Sequence, residues 1–304
     1  MSALVSVVVA VRDNVPALPR LLMALLRQDY GGPIELVAVD AHTEPVLTRS
    51  SLAVSRLPVH VVHEPDAGLS RARNTGIRLA TGNIVLVTDP TARPAPDWVR
   101  AMVTALEYGG AELVCGQVSV TVTDPPSPRL PKALLALVGS ARWPTVPGEP
   151  DLPWEVSGSN LGFRNSAVPL QFDEEPPGSD RGHRRCGAAM LAARLGAQGC
   201  FVQVIPDAVV HRDVPPREVT VRAVCARAWW LGTVLARLAR ELPPDSVPRQ
   251  PCWLPDGPVR WVFSRGGRLA GAACLASSAG RQVERFRLSA SPRRARRTVV
   301  AARG

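Results

Sequence analysis

Asp66 to Trp98, DAGLSRARNTGIRLATGNIVLVTDPTARPAPDW, is the stretch on which the reading of this chain turns. Gly68 lets the backbone pass closely by a ligand, and Ser70 to Ala80 has the spacing of a helix whose amino end offers N–H groups to an anion. Thr81-Gly82 stops that helix, Ile84 to Val87 is an apolar strand, and Asp89 stands just past its end. A carboxylate at the carboxyl edge of a buried strand is where open α/β sheets hold ligands and metals.

Outward from this segment the first half of the chain alternates strand and helix. Leu4 to Val11 is a continuous β-branched run, expected to be buried on both faces. Pro16 to Gln28 spaces its leucines as a helix does, and Ile34 to Val39 and Pro58 to His63 read as further strands. Pro96 to Tyr108 is a helix closed by Gly109-Gly110, and Leu113 to Thr123 a long strand. The β-α-β order predicts a Rossmann-like, mostly parallel central sheet flanked by helices. Asp124 to Pro153 is Pro-rich, with a short apolar helix around Leu130 to Val138. Ala188 to Gln198 then reads as a helix, Phe201 to Ile205 and Ala208 to His211 as strands, and Val219 to Leu242 as a long helix. Val259 to Phe286 is weakly helical and rich in small residues.

The composition is that of an ordinary globular protein, 46% hydrophobic and 20% charged, with a net charge of +10. Lys132 is the one lysine among 36 basic residues, a skew that makes arginine counts poor functional evidence. Seven arginines fall between Arg285 and Arg303, where no acid occurs. A solvated tail explains them, as does a peripheral contact with anionic lipid; nucleic acid is disfavoured because no aromatic is interleaved from Arg293 to Arg297. The six cysteines form no Cys-x-x-Cys pair and match no zinc module, as expected of reduced thiols in a cytoplasmic protein. No run reaches the length of a membrane span.

Several blocks between about residues 4 and 211 together resemble the family 2 glycosyltransferases, nucleotide-sugar-dependent enzymes of the GT-A fold. Arg73-Asn74-Thr75-Gly76 and Pro94-Ala95-Pro96-Asp97-Trp98 match the family pattern in order and spacing, while its Asp-x-Asp has become Asp89-Pro90-Thr91. The resemblance implies a donor site built from Arg12, Asp40, Gly68, Arg73, Asn74 and Asp89, with Arg73 on the donor diphosphate. It implies Mn2+ or Mg2+ held by Asp89 and His211, weakly, because Thr91 brings no charge to a site that wants carboxylates. Trp154 and Asn160, around Gly158-Ser159-Asn160, are the implied acceptor-side residues. Where relatives carry a second base-recognising aspartate this chain has Ala41, and their Glu-Asp pair falls on Gly187-Ala188. Asp180 is the nearest acid left to serve as catalytic base.

The expected organisation is a GT-A-like domain over 1–215, a helical C-terminal extension over 216–286 and an Arg-rich disordered tail over 287–304. The implied activity is transfer of a sugar from a nucleotide-sugar donor to an unknown acceptor, with inversion. The competing reading is a catalytically decayed homologue that serves as scaffold or regulatory partner, since three functional positions have lost an acid.

Overall fold

The computed structural model describes residues 2–48, 52, 57–65, 67–123, 132–140, 156–165, 170–174, 187–243 and 267–290. Its strands are β1 (Val5–Val11), β2 (Ile34–Asp40), β3 (Val59–His63), β4 (Ile84–Thr88), β5 (Ala92–Pro94), β6 (Leu113–Val122), β7 (Asn160–Arg164) and β8 (Val202–Val214). The helices are α1 (Leu18–Leu25), α2 (Leu69–Leu79), α3 (Trp98–Tyr108), α4 (Gly187–Ala197), α5 (Val221–Glu241) and α6 (Gly267–Ala290). All eight strands form one sheet in the order β3-β2-β1-β4-β7-β6-β8-β5.

The parallel half, β3-β2-β1-β4, is the part the alternating sequence predicts. Beyond it β7 runs antiparallel between β4 and β6, β8 is parallel to β6, and β5 closes the edge antiparallel. Six of the eight strands thus share a direction, and the sheet is mostly parallel as expected, with β7 and β5 reversed. The chain adds β2 and β3 on one side of β1 and β4 on the other, so the strand order reverses beside β1. Open α/β sheets form their ligand crevice at the carboxyl ends of strands at such a switch point.

Side-chain alternation assigns the two faces of the sheet. Val5, Val7, Val9 and Val11 pack with Leu18, Leu21, Trp98 and Met102 of α1 and α3. Val8, Ala10, Val37 and Val39 pack with Ala72 of α2 and with Ala188 and Leu191 of α4. A Cβ at Gly76 would lie 2.4 Å from Val8 Cγ1, so α2 sits on β1 with no room for a side chain there. This packing is why the Arg-Asn-x-Gly turn of the opening segment needs its glycine.

α5 and α6 form a hairpin over a separate apolar cluster containing Leu134, Leu137, Val224 and Leu231. They touch backbone to backbone: a Cβ at Gly232 would be 1.9 Å from Ser277 O, and one at Gly280 2.2 Å from Trp229 O. The small residues that make Val259 to Phe286 look weakly helical are thus what lets α6 lie against α5. No helix among the described residues is long and apolar enough to cross a membrane. Burial raises the pKa values of the described thiols Cys115, Cys200, Cys225 and Cys274, which disfavours the thiolate.

Candidate functional site

A cleft of about 170 Å³ opens at the switch point, lined by Ala10 at the end of β1, by Arg12, Asp13 and Asn14 after it, and by Asp89, Pro90 and Thr91 after β4. Arg73, Ser157, Gly158, Ser159, Arg212 and Glu218 complete its walls. Asn14 sits at φ 64, a left-handed conformation that is uncommon outside glycine and often marks functional turns. Arg217 holds that turn by donating to Asn14 Oδ1 at 3.2 Å.

Asp89 is the hub. Its Oδ1 accepts from the Thr91 amide at 3.0 Å and the Thr91 hydroxyl at 2.7 Å, and its Oδ2 accepts a short bond from the Ser159 hydroxyl. Arg212 Nε lies 3.2 Å from the same Oδ2 and donates to Thr91 Oγ1 at 3.1 Å. Arg212 is further anchored by an Nη1 bond to Val138 O at 3.1 Å.

Arg73 is the second buried cation. Gly158 lets the chain pass against it, since a Cβ there would lie 3.0 Å from both terminal guanidinium nitrogens. The guanidinium rides over the Phe172 ring, 5.3 Å from its centroid, a cation–π arrangement. Burial pulls its pKa down, the charge of Asp89 props it up, and Arg212 pushes it down again. Its Nε is buried without a hydrogen-bond partner. Such an orphaned donor costs on the order of 1–3 kcal/mol, a cost that a ligand oxygen would relieve.

Asn74, expected on the donor, serves Arg73 indirectly. Its side chain donates to Phe172 O at 2.9 Å and accepts from Phe172 N at 2.8 Å, which fixes the ring beneath the guanidinium. Asn160, expected on the acceptor, is fully buried and engaged. It accepts from Trp98 Nε1 at 2.7 Å and donates to Gln117 O at 2.9 Å and Ala208 O at 2.8 Å. These carbonyls flank the irregularity where β6 and β8 shift register between Gly116 and Gln117. Both its amide hydrogens and its carbonyl oxygen are engaged within the sheet, and Asn160 does not line the cleft.

Asp40 likewise turns away from the cleft. It accepts from the amides of Val46 at 2.6 Å, Leu47 at 2.7 Å and His42 at 3.2 Å, and pairs with His42 Nδ1 at 2.5 Å. Burial raises its pKa, but these bonds outweigh burial and hold it below the usual carboxylate value. Gly68 caps α2 in an extended conformation at φ −63, open to any residue, and it does not line the cleft. Ala188 is buried in the layer beneath the sheet, so the position aligned with the family acid pair lies in the core. Asp180 and Trp154 fall outside the described residues.

His211 is not brought to Asp89. It is exposed, and it lines a groove on the other side of β8 with Arg20, Arg27 and Arg93. A strand turns alternate side chains to opposite faces, so His211 looks out where Arg212 looks in. The family spacing Pro-x-Ala-x-Val-x-His, counted from Pro206 through Ala208 and Val210, ends on position 212. Alternation alone therefore pointed to Arg212, one residue beyond the histidine. Ser159 carried no comparable signal: nothing in its local sequence shows that β7 starts beside Asp89.

The donor set does not suit a divalent cation. Both Asp89 oxygens are already engaged, Thr91 is neutral, and a buried guanidinium occupies the place of a histidine ligand. Hard cations prefer several oxygen ligands, and none of the described residues gathers three His, Cys, Asp or Glu side chains in one place.

The family model described as glycosyl transferase family 2 matches residues 6–155. Over these residues the chain has the sequence of that family. Among curated relatives, glycosyltransferase AglE of Haloferax volcanii is 28% identical over 122 residues, 38% of this chain and 40% of that protein. The uncharacterized glycosyltransferase YwdF of Bacillus subtilis is 29% identical over 116 residues, 36% of this chain and 42% of that protein. The alignments thus span about two fifths of the length of these relatives. Among solved structures, the mannosyltransferase PcManGT of Pyrobaculum calidifontis, in complex with GDP-Man and Mn2+, superimposes with a TM-score of 0.58 at 21% identity, covering 96% of this chain and 77% of that one. S. aureus TarS 1-349, in complex with UDP, gives 0.51 at 14% identity, covering 95% of this chain and 93% of that one. These likenesses bear out the GT-A-like fold. The family match ends before Ser157, so Ser159, Arg212 and Glu218 lie outside it, while Arg12, Arg73 and Asp89 lie within.

Proposed function

We propose that this chain transfers a sugar from a nucleotide-sugar donor to an acceptor, with the donor diphosphate seated between Arg73 and Arg212. One observation carries the reading: two buried guanidiniums act on the Asp89 carboxylate at the switch point of a family 2 sheet. Such a cleft has cationic charge and directed N–H donors to offer a diphosphate. In the step itself the acceptor oxygen bonds to the anomeric carbon as the bond from that carbon to the diphosphate oxygen breaks. The acceptor proton passes to a protein carboxylate, and attack opposite the leaving group inverts the centre.

Two acids compete for the base. Asp180 is the sequence candidate; Glu218 lines the cleft directly, held by Arg227 Nη2 at 2.8 Å. Asp180→Asn and Glu218→Gln, assayed for product with donor binding measured alongside, decide between them: the base variant loses turnover by about 100-fold and keeps donor affinity. We further propose a cytoplasmic setting, a reading supported by cysteines that form no disulfide or zinc spacing. The extension from 216 to 286 and the tail after it would offer a peripheral membrane contact, a role supported by exposed Leu275, Val283 and Phe286 beside Arg285 and Arg287.

Calorimetry against UDP-, GDP- and dTDP-sugars tests the main reading, which expects saturable binding of at least one of them. The absence of binding and hydrolysis across the panel sinks it. The burial of Ala188 and Ala41 where relatives carry acids favours a second reading, a decayed transferase retained as a scaffold. That reading expects donor binding without turnover for every acceptor class tried.

A further inference from the structure

We propose that Arg212 takes the place of a divalent cation, so that a nucleoside diphosphate binds in this cleft without metal. The inference rests on the reading of the cleft as the donor site and names the group that neutralises the donor there.

Position comes first. Ala208, Val210 and Arg212 are buried along one face of β8, while Asp207 and His211 are exposed on the other. The inward place beside Asp89 therefore belongs to a guanidinium. Nε faces Asp89 Oδ2 and Thr91 Oγ1, and Nη1 is tied to Val138 O, so the planar group is fixed before any ligand arrives. These bonds do not exhaust its N–H donors, and the residue lines the cleft. A guanidinium presents a rigid fork that matches two phosphate oxygens.

Coordination chemistry comes second. Oδ1 of Asp89 takes two bonds from Thr91, and Oδ2 takes one from Ser159 and the Arg212 contact. A carboxylate has about four lone-pair sites, so a metal ion would have to displace an existing donor. Thr91 stands where a second carboxylate would be needed, and its hydroxyl is committed to Asp89 and Arg212.

Charge decides between the alternatives. Arg73 and Arg212 are both buried, Arg73 feels the charge of Arg212, and the Asp89 carboxylate pairs with Arg212 and acts on Arg73. A dication entering beside two guanidiniums meets repulsion in a poorly screened environment. A diphosphate entering there meets attraction from both.

The test is calorimetry of the full chain with UDP and GDP, in EDTA and in Mn2+. The wild type is expected to bind at least one nucleotide with affinities within about twofold in the two conditions. Arg212→Gln is expected to weaken binding in EDTA at least tenfold, and Arg212→Lys, which keeps the charge and loses the fork, to fall between. The double substitution Thr91→Asp with Arg212→His is expected to make binding at least tenfold tighter with Mn2+ than with EDTA. Binding by the wild type in Mn2+ alone overturns the proposal, as does unchanged affinity in folded Arg212→Gln. If Arg212→Gln does not fold, the wild-type comparison decides the matter. If the wild type binds neither nucleotide in either condition, the donor-site reading itself fails, an outcome distinct from metal-dependent binding.

Discussion

Asp40 and Asp89 close the two strands that flank β1, on the same edge of the same sheet, and they do different work. Asp40 is fully buried and all the described partners of its carboxylate come from the seven residues that follow it. Asp89 keeps a fifth of its side chain exposed, at 20%, and joins Thr91 to Ser159 and Arg212, which lie far apart in sequence. One acid builds its own loop, and the other gathers a cleft. The strand-end position they share does not distinguish them; the sequence distance of their partners does.

The largest expected effect is on stability at Asp40. Asp40→Ala strands the buried amide of Leu47 and the partly buried amide of Val46 and should cost about 3 kcal/mol in urea denaturation. UDP and GDP affinity of the folded fraction should stay within about twofold of wild type. A loss of affinity with stability intact would instead place Asp40 on the donor base and dissolve the contrast.

Asp89→Asn should cost somewhat less, about 2 kcal/mol, because it leaves two guanidiniums without their counter-charge in a half-open cleft. A nucleoside diphosphate can supply that charge, so UDP or GDP should raise the melting temperature of Asp89→Asn more than that of the wild type. An equal shift in both proteins would mean that Asp89 does not sit between the arginines and the ligand. No nucleotide should rescue Asp40→Ala.

A smaller effect follows from pH. Burial raises the pKa of Glu35, but bonds from Ser6 and Thr81 and the charge of His60 hold it below its ordinary value, as the loop amides do for Asp40. For a depressed carboxylate the stabilisation is complete above the unfolded-state pKa and is lost as pH falls through the folded one. Stability should therefore be flat from neutral pH to about pH 5 and decline below the ordinary carboxyl values of 4.5 and 3.8. Denaturation of Glu35→Gln and Asp40→Asn at pH 7 and pH 3 checks this: each substitution should flatten the acid limb, and an unchanged limb would deny the groups their role.

Much of this frame is legible in the sequence because the β-branched run of β1 and the leucine spacing of α1 are local signals. β7 carries no strand signal of its own: Asn160–Arg164 is five residues long with Gly162 in its middle, where a Cβ would meet Leu86 Cδ2 at 2.7 Å. β8 reads as two strands because Pro206-Asp207-Ala208 interrupts the pattern, yet the chain bulges there and resumes pairing at Val209. The donor-side arginines were partly visible, Arg12 and Arg73 through the family pattern. Arg212 was hidden by its neighbour His211, the more familiar ligand type. Asn74 and Asn160 looked functional as polar residues within motifs, and their amides instead complete buried backbone, a use that only three-dimensional contacts reveal.

The finest separation falls on Thr91. Its hydroxyl donates to Asp89 Oδ1 at 2.7 Å and accepts from Arg212 Nε at 3.1 Å, so it couples the acid to the cation. Thr91→Val keeps the shape and removes the oxygen, which should cost about 1 kcal/mol of stability. Arg212 retains Asp89 and Val138 as anchors and its aim is only loosened, so UDP or GDP affinity should fall about threefold, about half of the roughly 1.4 kcal/mol that a tenfold loss represents. The size of the loss matters less than its dependence on metal. If the hydroxyl steadies a guanidinium, the threefold loss appears equally in EDTA and in Mn2+. If Thr91 is a surviving metal ligand, the loss appears in Mn2+ alone, and Asp89 becomes the remnant of a cation site rather than the partner of Arg212.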